Sequence, residues 1–168
     1  HNIVAGLSHD TVAIHPDMLF AIGSITKNVV AALVLQLAEE GVLTLDDSLS
    51  RWLPKYPFVD NTITLRQLLN HTSGLYMFWD NQKLWDDLKQ YRDSVFAPET
   101  VLAYIRDPYF GPGKDFRYSN TNYLLLAMIC SRATNATLSA ELRRRFWAPL
   151  KIDDVWLTLE EQIPQNLA

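Results

Sequence analysis

The run Val29-Val30-Ala31-Ala32-Leu33-Val34-Leu35 is apolar at every position, so a helix that contains it is expected to be buried on most sides rather than along one surface stripe. Such a helix must lie inside a core, with the rest of the chain packed around it. The pattern predicts a helix of about 17 residues that stops at Gly41. Just ahead of it stands Phe20-Ala21-Ile22-Gly23-Ser24-Ile25-Thr26-Lys27. Ser24 falls at the N-cap or in the first turn, and Lys27, three positions on, projects from the same face one turn away.

That spacing brings an amine to a hydroxyl. A serine hydroxyl is a weak nucleophile until a base takes its proton, and a lysine can take it only when neutral. Burial beside an apolar helix, with the positive end of the helix dipole close by, favours the neutral amine. The Ser24 N–H, without an acceptor at a helix start, can also point at the oxyanion of an acyl intermediate. The same residues admit a plain alternative, in which Ser24 caps the helix and Lys27 reaches out to solvent.

The 168 residues suffice for a domain with a real core, and 48% hydrophobic with 20% charged residues is ordinary for a globular protein. A net charge of -4 gives no general attraction to phosphate backbones, so nucleic acid is not an expected partner. The one basic cluster, Arg143-Arg144-Arg145, reads as a polar helix face. Cys130 sits in an apolar run and reads as a small buried hydrophobe. His9 and His15 lack partners at metal-ligand spacing, so neither a metal nor a cofactor is expected. No stretch is long and apolar enough to span a bilayer. No signal peptide precedes His1, and the missing initial methionine points to a processed or excised chain.

Along the chain, 2–5 and 11–14 read as short extended pieces, and a helical turn precedes Trp52-Leu53-Pro54. Thr64 is placed to cap a helix over 65–70, followed by His71-Thr72-Ser73-Gly74. His71 invites a catalytic role, but a histidine that pins the loop after a helix is the favoured reading. The segment Tyr76 to Tyr91 is rich in aromatics and either walls a pocket or covers core. Further helices are expected over 98–106, 122–133 and 137–147, with a short strand at 155–157. Asn70-His71-Thr72 and Asn135-Ala136-Thr137 fit the glycosylation pattern, a common match of little weight.

Tyr118-Ser119-Asn120 follows the turn-dense loop 107–114 and enters the helix at 122. A phenol near Lys27 would have its phenolate favoured and could take the Ser24 proton or hand one to a leaving group. Asn120, with one acceptor and two donors, suits a lysine ammonium and a substrate amide together. Alternatively Tyr118 packs, and Ser119 or Asn120 caps a helix.

Taken in order, 20–27 with its helix, Leu43-Thr44-Leu45-Asp46-Asp47, Ile63 to Leu75, Pro112-Gly113 and Phe116 to Tyr123 resemble the penicillin-recognising serine hydrolases. The pattern is similar to the class C beta-lactamases, the D-Ala-D-Ala carboxypeptidases and the related esterases, from about Phe20 to Leu157. The resemblance implies acyl transfer through a serine ester, with no cofactor. Ser24 would be the nucleophile, Lys27 its base partner, Tyr118 a second general base or acid, and Asn120 a substrate and lysine ligand. The substrate would be a beta-lactam, a D-Ala-D-Ala peptide or a small ester, and a periplasmic or secreted location is favoured.

The implied fold is mainly α, the helical domain of the beta-lactamase/transpeptidase-like α+β fold, with most of the antiparallel sheet outside this chain. The corresponding division is 1–19 as a remnant of the sheet domain, 20–157 as the helical domain, and 158–168 as a loop leading onward. The family's third motif, Lys-Thr-Gly or His-Thr-Gly, does not occur here. The expectation is therefore an incomplete site whose exposed face associates with the missing sheet half or with a second copy. The competing expectation is a non-hydrolytic module that keeps the pocket for binding or assembly.

Overall fold

The computed structural model describes residues 3–91, 94–158 and 160–163. The central element is α1, Thr26–Glu39, preceded by a 3-10 turn at Gly23–Ile25. Val30, Leu33, Val34 and Leu37 of α1 are buried, whereas Leu35 is 52% exposed, so one side of this helix does face solvent. The helix closes with a Schellman arrangement, in which Gly41 at φ +71 turns the chain and Val42 N–H bonds the Leu37 carbonyl at 2.9 Å.

Short helices follow it in the chain: α2 Leu49–Trp52, α3 Leu65–Leu69, α4 Gln82–Gln90 and α5 Pro98–Leu102. A second long helix, α6 Asn120–Thr134, packs on α1 and α3, and α7 Leu138–Leu142 packs on both long helices. Leu125, Leu126, Ile129 and Cys130 of α6 meet the α1 side chains in one core, where each fully buried aliphatic contributes about 1.5–3 kcal/mol. Burial pushes the Cys130 thiol up to about 12, in keeping with an inert core residue.

The capping chemistry follows the residue types. Thr64 and Gln67 form a reciprocal capping box on α3, as Thr64 predicts. Asp47 is buried in the loop before α2, where it accepts from Thr44 N–H, the Thr44 hydroxyl, Arg51 and Trp52 Nε1. Burial raises its carboxyl, but these donors outweigh that and hold it below the usual 3.8.

Several boundaries depart from expectation. The strand pair is Leu7–His9 (β1) with Val12–Ala13 (β2), antiparallel, so of the extended pieces expected over 2–5 and 11–14 only the second forms; Ile3–Ala5 is irregular and Asn2 lies outside the described residues. The helix at Pro98 ends at Leu102 rather than Arg106, and α6 starts at Asn120, two residues early, because Ser119 caps it. Residues 155–157 form no strand, and 159 and 164–168 of the expected terminal loop lie outside the described residues.

Beyond α7 the chain passes through a π turn, Arg143–Trp147, into α8, Ala148–Leu150. The π turn alters the helical rotation, and the three arginines do not form one polar face. Arg143 pairs with Glu161 at 2.8 Å and Arg144 with Glu141 at 2.8 Å. Arg145 is almost fully covered and holds both Glu141 and Glu40, tying α7 to the end of α1.

The segment after α3 carries the loop that approaches the candidate site. Gly74 O accepts from Tyr109 N–H at 2.8 Å, Thr72 O from Gly113 N–H at 2.8 Å and His71 O from Arg117 N–H at 3.0 Å. Gly74 has φ +77, and a Cβ there would lie 2.0 Å from the Phe110 carbonyl oxygen. Gly74→Ala should therefore lower stability by more than about 2 kcal/mol in urea unfolding. Gly111→Ala, whose Cβ would meet only Lys114 Cγ at 3.7 Å, should stay within about 0.5 kcal/mol.

Candidate functional site

Gly23, at φ +50, makes the turn that presents Ser24 in the 3-10 segment ahead of α1. Ser24 is thus not the α-helical N-cap; that position falls to Ile25, which makes no side-chain capping bond. Lys27, in the first turn of α1, points back along the helix and its Nζ donates to Ser24 Oγ at 3.1 Å. From the other motif, Tyr118 Oη lies 2.7 Å from the same Oγ, across 94 residues of sequence. Three of the residues singled out from sequence therefore converge on one oxygen atom.

The electrostatics lower the Tyr118 phenol from its ordinary value. Burial raises the Tyr118 hydroxyl, but the Lys27 ammonium and the Ser24 hydroxyl together outweigh it and bring the group below its ordinary 10.0. Lys27 Nζ also stands 5.0 Å from the Tyr118 ring centroid and 5.7 Å from that of Tyr123, a cation over aromatic faces. Among the described residues it pairs with no carboxylate. Since Lys27 donates to Ser24 Oγ, the serine's own proton is free to point at Tyr118 Oη.

Asn120 is the first residue of α6, and its N–H bonds Met77 Sδ at 3.2 Å. Its Oδ1 is buried and has no hydrogen-bond partner among the described residues. It makes no bond to Lys27, so the structure does not bring the expected lysine ligand into contact.

Sequence reasoning missed the supporting shell. Ser119 and Thr121 hydroxyls donate to Tyr76 O at 3.3 and 2.6 Å, which anchors the Tyr76 segment to the start of α6. Tyr109 stacks on Tyr76 at 5.4 Å and donates to Asp80 at 2.6 Å, with the Arg117 guanidinium 3.7 Å from the Tyr109 ring centroid. Asn122 is fully buried and accepts from the Ser73 hydroxyl at 2.6 Å. Apart from polar types inside an apolar helix, no local signal marks these partners, because each is set by a contact across the fold. In the aromatic stretch, Phe78 covers core while Trp79 and Trp85 lie tilted against each other, centroids 4.8 Å apart, in the open. Among the described residues no cluster could hold a metal, and no helix is long and apolar enough to cross a membrane.

A helix-borne serine with a lysine one turn on, met by a tyrosine from a second motif, defines the penicillin-recognising serine hydrolase class. The Beta-lactamase family model matches residues 4–168, and the chain belongs to that family. It is 32% identical over 155 residues to penicillin-binding protein 4* of Bacillus subtilis, covering 89% of the chain and 33% of the relative. Its fold matches D-amino acid amidase from Ochrobactrum anthropi SV3 with TM-score 0.82 and 29% identity, over 96% of this chain and 46% of that one. A D-stereospecific amidohydrolase from Streptomyces sp. matches with TM-score 0.74 and 34% identity, over 79% and 42%. The chain thus spans about a third of the length of the Bacillus relative. Its mainly helical architecture is that of the helical domain in the beta-lactamase/transpeptidase-like fold.

If Lys27 is what lowers the Tyr118 hydroxyl, Lys27→Ala should raise its titration, since only the Ser24 hydroxyl is then left to oppose burial. Titration of ring-labelled tyrosine by NMR, with Tyr118→Phe to assign the signal, reads this directly. An unchanged Tyr118 titration would remove the lysine from the account.

Proposed function

We propose that the protein is a serine hydrolase that works through a covalent acyl-enzyme on Ser24. The observation that carries this reading is the convergence of Tyr118 Oη, at 2.7 Å, and Lys27 Nζ, at 3.1 Å, on Ser24 Oγ. Ser24 Oγ attacks the carbonyl carbon of an amide, beta-lactam or ester, and its proton passes to Tyr118 as the new C–O bond forms. The Lys27 ammonium holds the phenolate before this transfer. The Ser24 N–H in the 3-10 turn faces the developing oxyanion. Tyr118 then returns the proton to the leaving nitrogen or oxygen, and water attacking the acyl carbonyl releases the acid and regenerates Ser24. Asn120 Oδ1 accepts an N–H from the substrate.

The family relatives named as penicillin-binding protein and D-amino acid amidase support an amide-type carbonyl, cyclic or linear, as substrate. We read 1–19, 20–157 and 158–168 as a sheet-domain remnant, the catalytic helical domain and an onward loop. We also read the site as incomplete within these residues, because the Lys-Thr-Gly or His-Thr-Gly triplet is absent from the sequence. Loss of one oxyanion donor costs about 100- to 1,000-fold in rate, so the chain by itself should acylate slowly.

Prolonged incubation with excess of a reporter penicillin, followed by intact-mass measurement, tests the reading. A single adduct is expected on the parent and none on Ser24→Ala. Tyr118→Phe should slow its formation by about 100- to 10,000-fold. An adduct that persists in Ser24→Ala, or no adduct on the parent, sinks the assignment and leaves the non-hydrolytic module in its place.

A further inference from the structure

His71 stands just past α3, at φ +60, a left-handed conformation that histidine and asparagine adopt more readily than most residues. Its carbonyl accepts the Arg117 N–H at 3.0 Å, and its ring Nδ1 accepts the Ser119 N–H at 3.2 Å. One residue therefore grips the backbone on both sides of Tyr118. The imidazole also lies against the phenol itself, with ring centroids 4.6 Å apart, and 5.3 Å from the Tyr123 ring.

The hydrogen bonds settle the tautomer. A backbone N–H can only donate, so Nδ1 must be an acceptor toward Ser119. Asn122 Nδ2 is 2.9 Å from the same nitrogen, and its orientation follows from Asn122 Oδ1 being occupied by the Ser73 hydroxyl. With two donors aimed at Nδ1, the neutral ring carries its proton on Nε2. A proton added at Nδ1 would confront both donors at once and break both bonds.

We propose that His71 is a positioning residue for Tyr118 that works only as the neutral Nε2–H tautomer, so that protonating this one ring releases the backbone that aims the phenol at Ser24. The proposal rests on the reading of Tyr118 as the group that exchanges the Ser24 proton. The charged and titratable groups that act on the ring are Lys27 on α1, Tyr118 on the gripped segment and Tyr123 on α6, while the Arg117 guanidinium is engaged with Tyr109 and Asp80. There is no carboxylate in this set, so nothing in it stabilises an imidazolium. Burial, and then the Lys27 charge, hold the ring below its ordinary 6.5. The sign follows: a depressed value in the folded state leaves the grip complete above 6.5 and loses it as pH falls through the folded value.

The test needs readouts that do not require Ser24 to react. In the parent chain, imidazole nitrogen NMR at neutral pH should show an unprotonated Nδ1 on His71, and the Ser119 amide should be protected from hydrogen exchange. That protection should disappear in step with the His71 titration. His71→Asn keeps a side-chain acceptor and tolerates the backbone, but cannot titrate, so protection should persist through the same pH range. His71→Phe keeps a ring against Tyr118 without the acceptor, so protection should be lost at every pH. Where Ser24 acylates, the parent rate should fall on the acid side at the His71 titration, His71→Asn should lack that limb, and His71→Phe should be about 100-fold slower throughout. An Nδ1-protonated tautomer, Ser119 protection that ignores the His71 titration, or an acid limb retained in His71→Asn each overturns the proposal. A chain that never acylates would fail the functional reading alone, because tautomer and amide exchange still decide whether His71 holds the segment.

Discussion

The packing of α1 against α6 is the contact on which the rest of this structure depends. α1 carries Ser24 and Lys27 at its entrance, and α6 carries Tyr118, Ser119 and Asn120 at its own. Leu33, Val34 and Leu37 from one helix and Leu125, Leu126 and Ile129 from the other are sealed in a shared core with essentially no exposure. Non-directional burial on this scale sets where the two helices lie, and with them where their first turns meet. The chemistry at the surface is thus held by hydrocarbon several turns away.

Packing alone does not aim a phenol to within 2.7 Å of a hydroxyl. That precision comes from polar groups that each have one satisfactory partner. Gly74 lets the loop at Phe110 pass closer than any side chain would allow, and His71 turns its own carbonyl and ring toward the backbone on either side of Tyr118. Thr121, Ser119 and Asn122 complete the shell from within α6. Because an unmade bond at a buried donor or acceptor costs about 1–3 kcal/mol, alternative placements of the segment are disfavoured one by one. Against this satisfied background, Asn120 Oδ1 is a buried acceptor without a hydrogen-bond partner among the described residues.

Much of this was legible beforehand. The unbroken apolar run announced a buried α1, Thr64 announced the start of α3, and Gly41 announced where α1 would end. Ser24, Lys27 and Tyr118 could be named from their motifs, and the resemblance put them in one site. Boundaries were less legible where tertiary contacts compete with local preference. Leu35 faces solvent although Leu33, Val34 and Leu37 are buried, and the arginine triplet splits its three side chains among Glu161, Glu141 and Glu40 across a π turn. A hairpin formed at 7–13 with only part of the strand pattern that was expected there, since pairing depends on the turn between strands as well as on their residues.

The amino-acid sequence by itself determined which helix contributes most to the core and where the Ser-x-x-Lys and Tyr-x-Asn residues stand along the chain, because apolarity, motif spacing and capping are properties of residue types at fixed local positions. Only the tertiary structure decided that Ser24 sits in a 3-10 turn, that Lys27 and Tyr118 meet on its hydroxyl, and that His71 grips both sides of Tyr118. Those outcomes join residues 24, 71 and 118, which no local rule connects. They follow from how a common core brings three distant backbones together, and from which hydrogen bonds remain to be satisfied once it has.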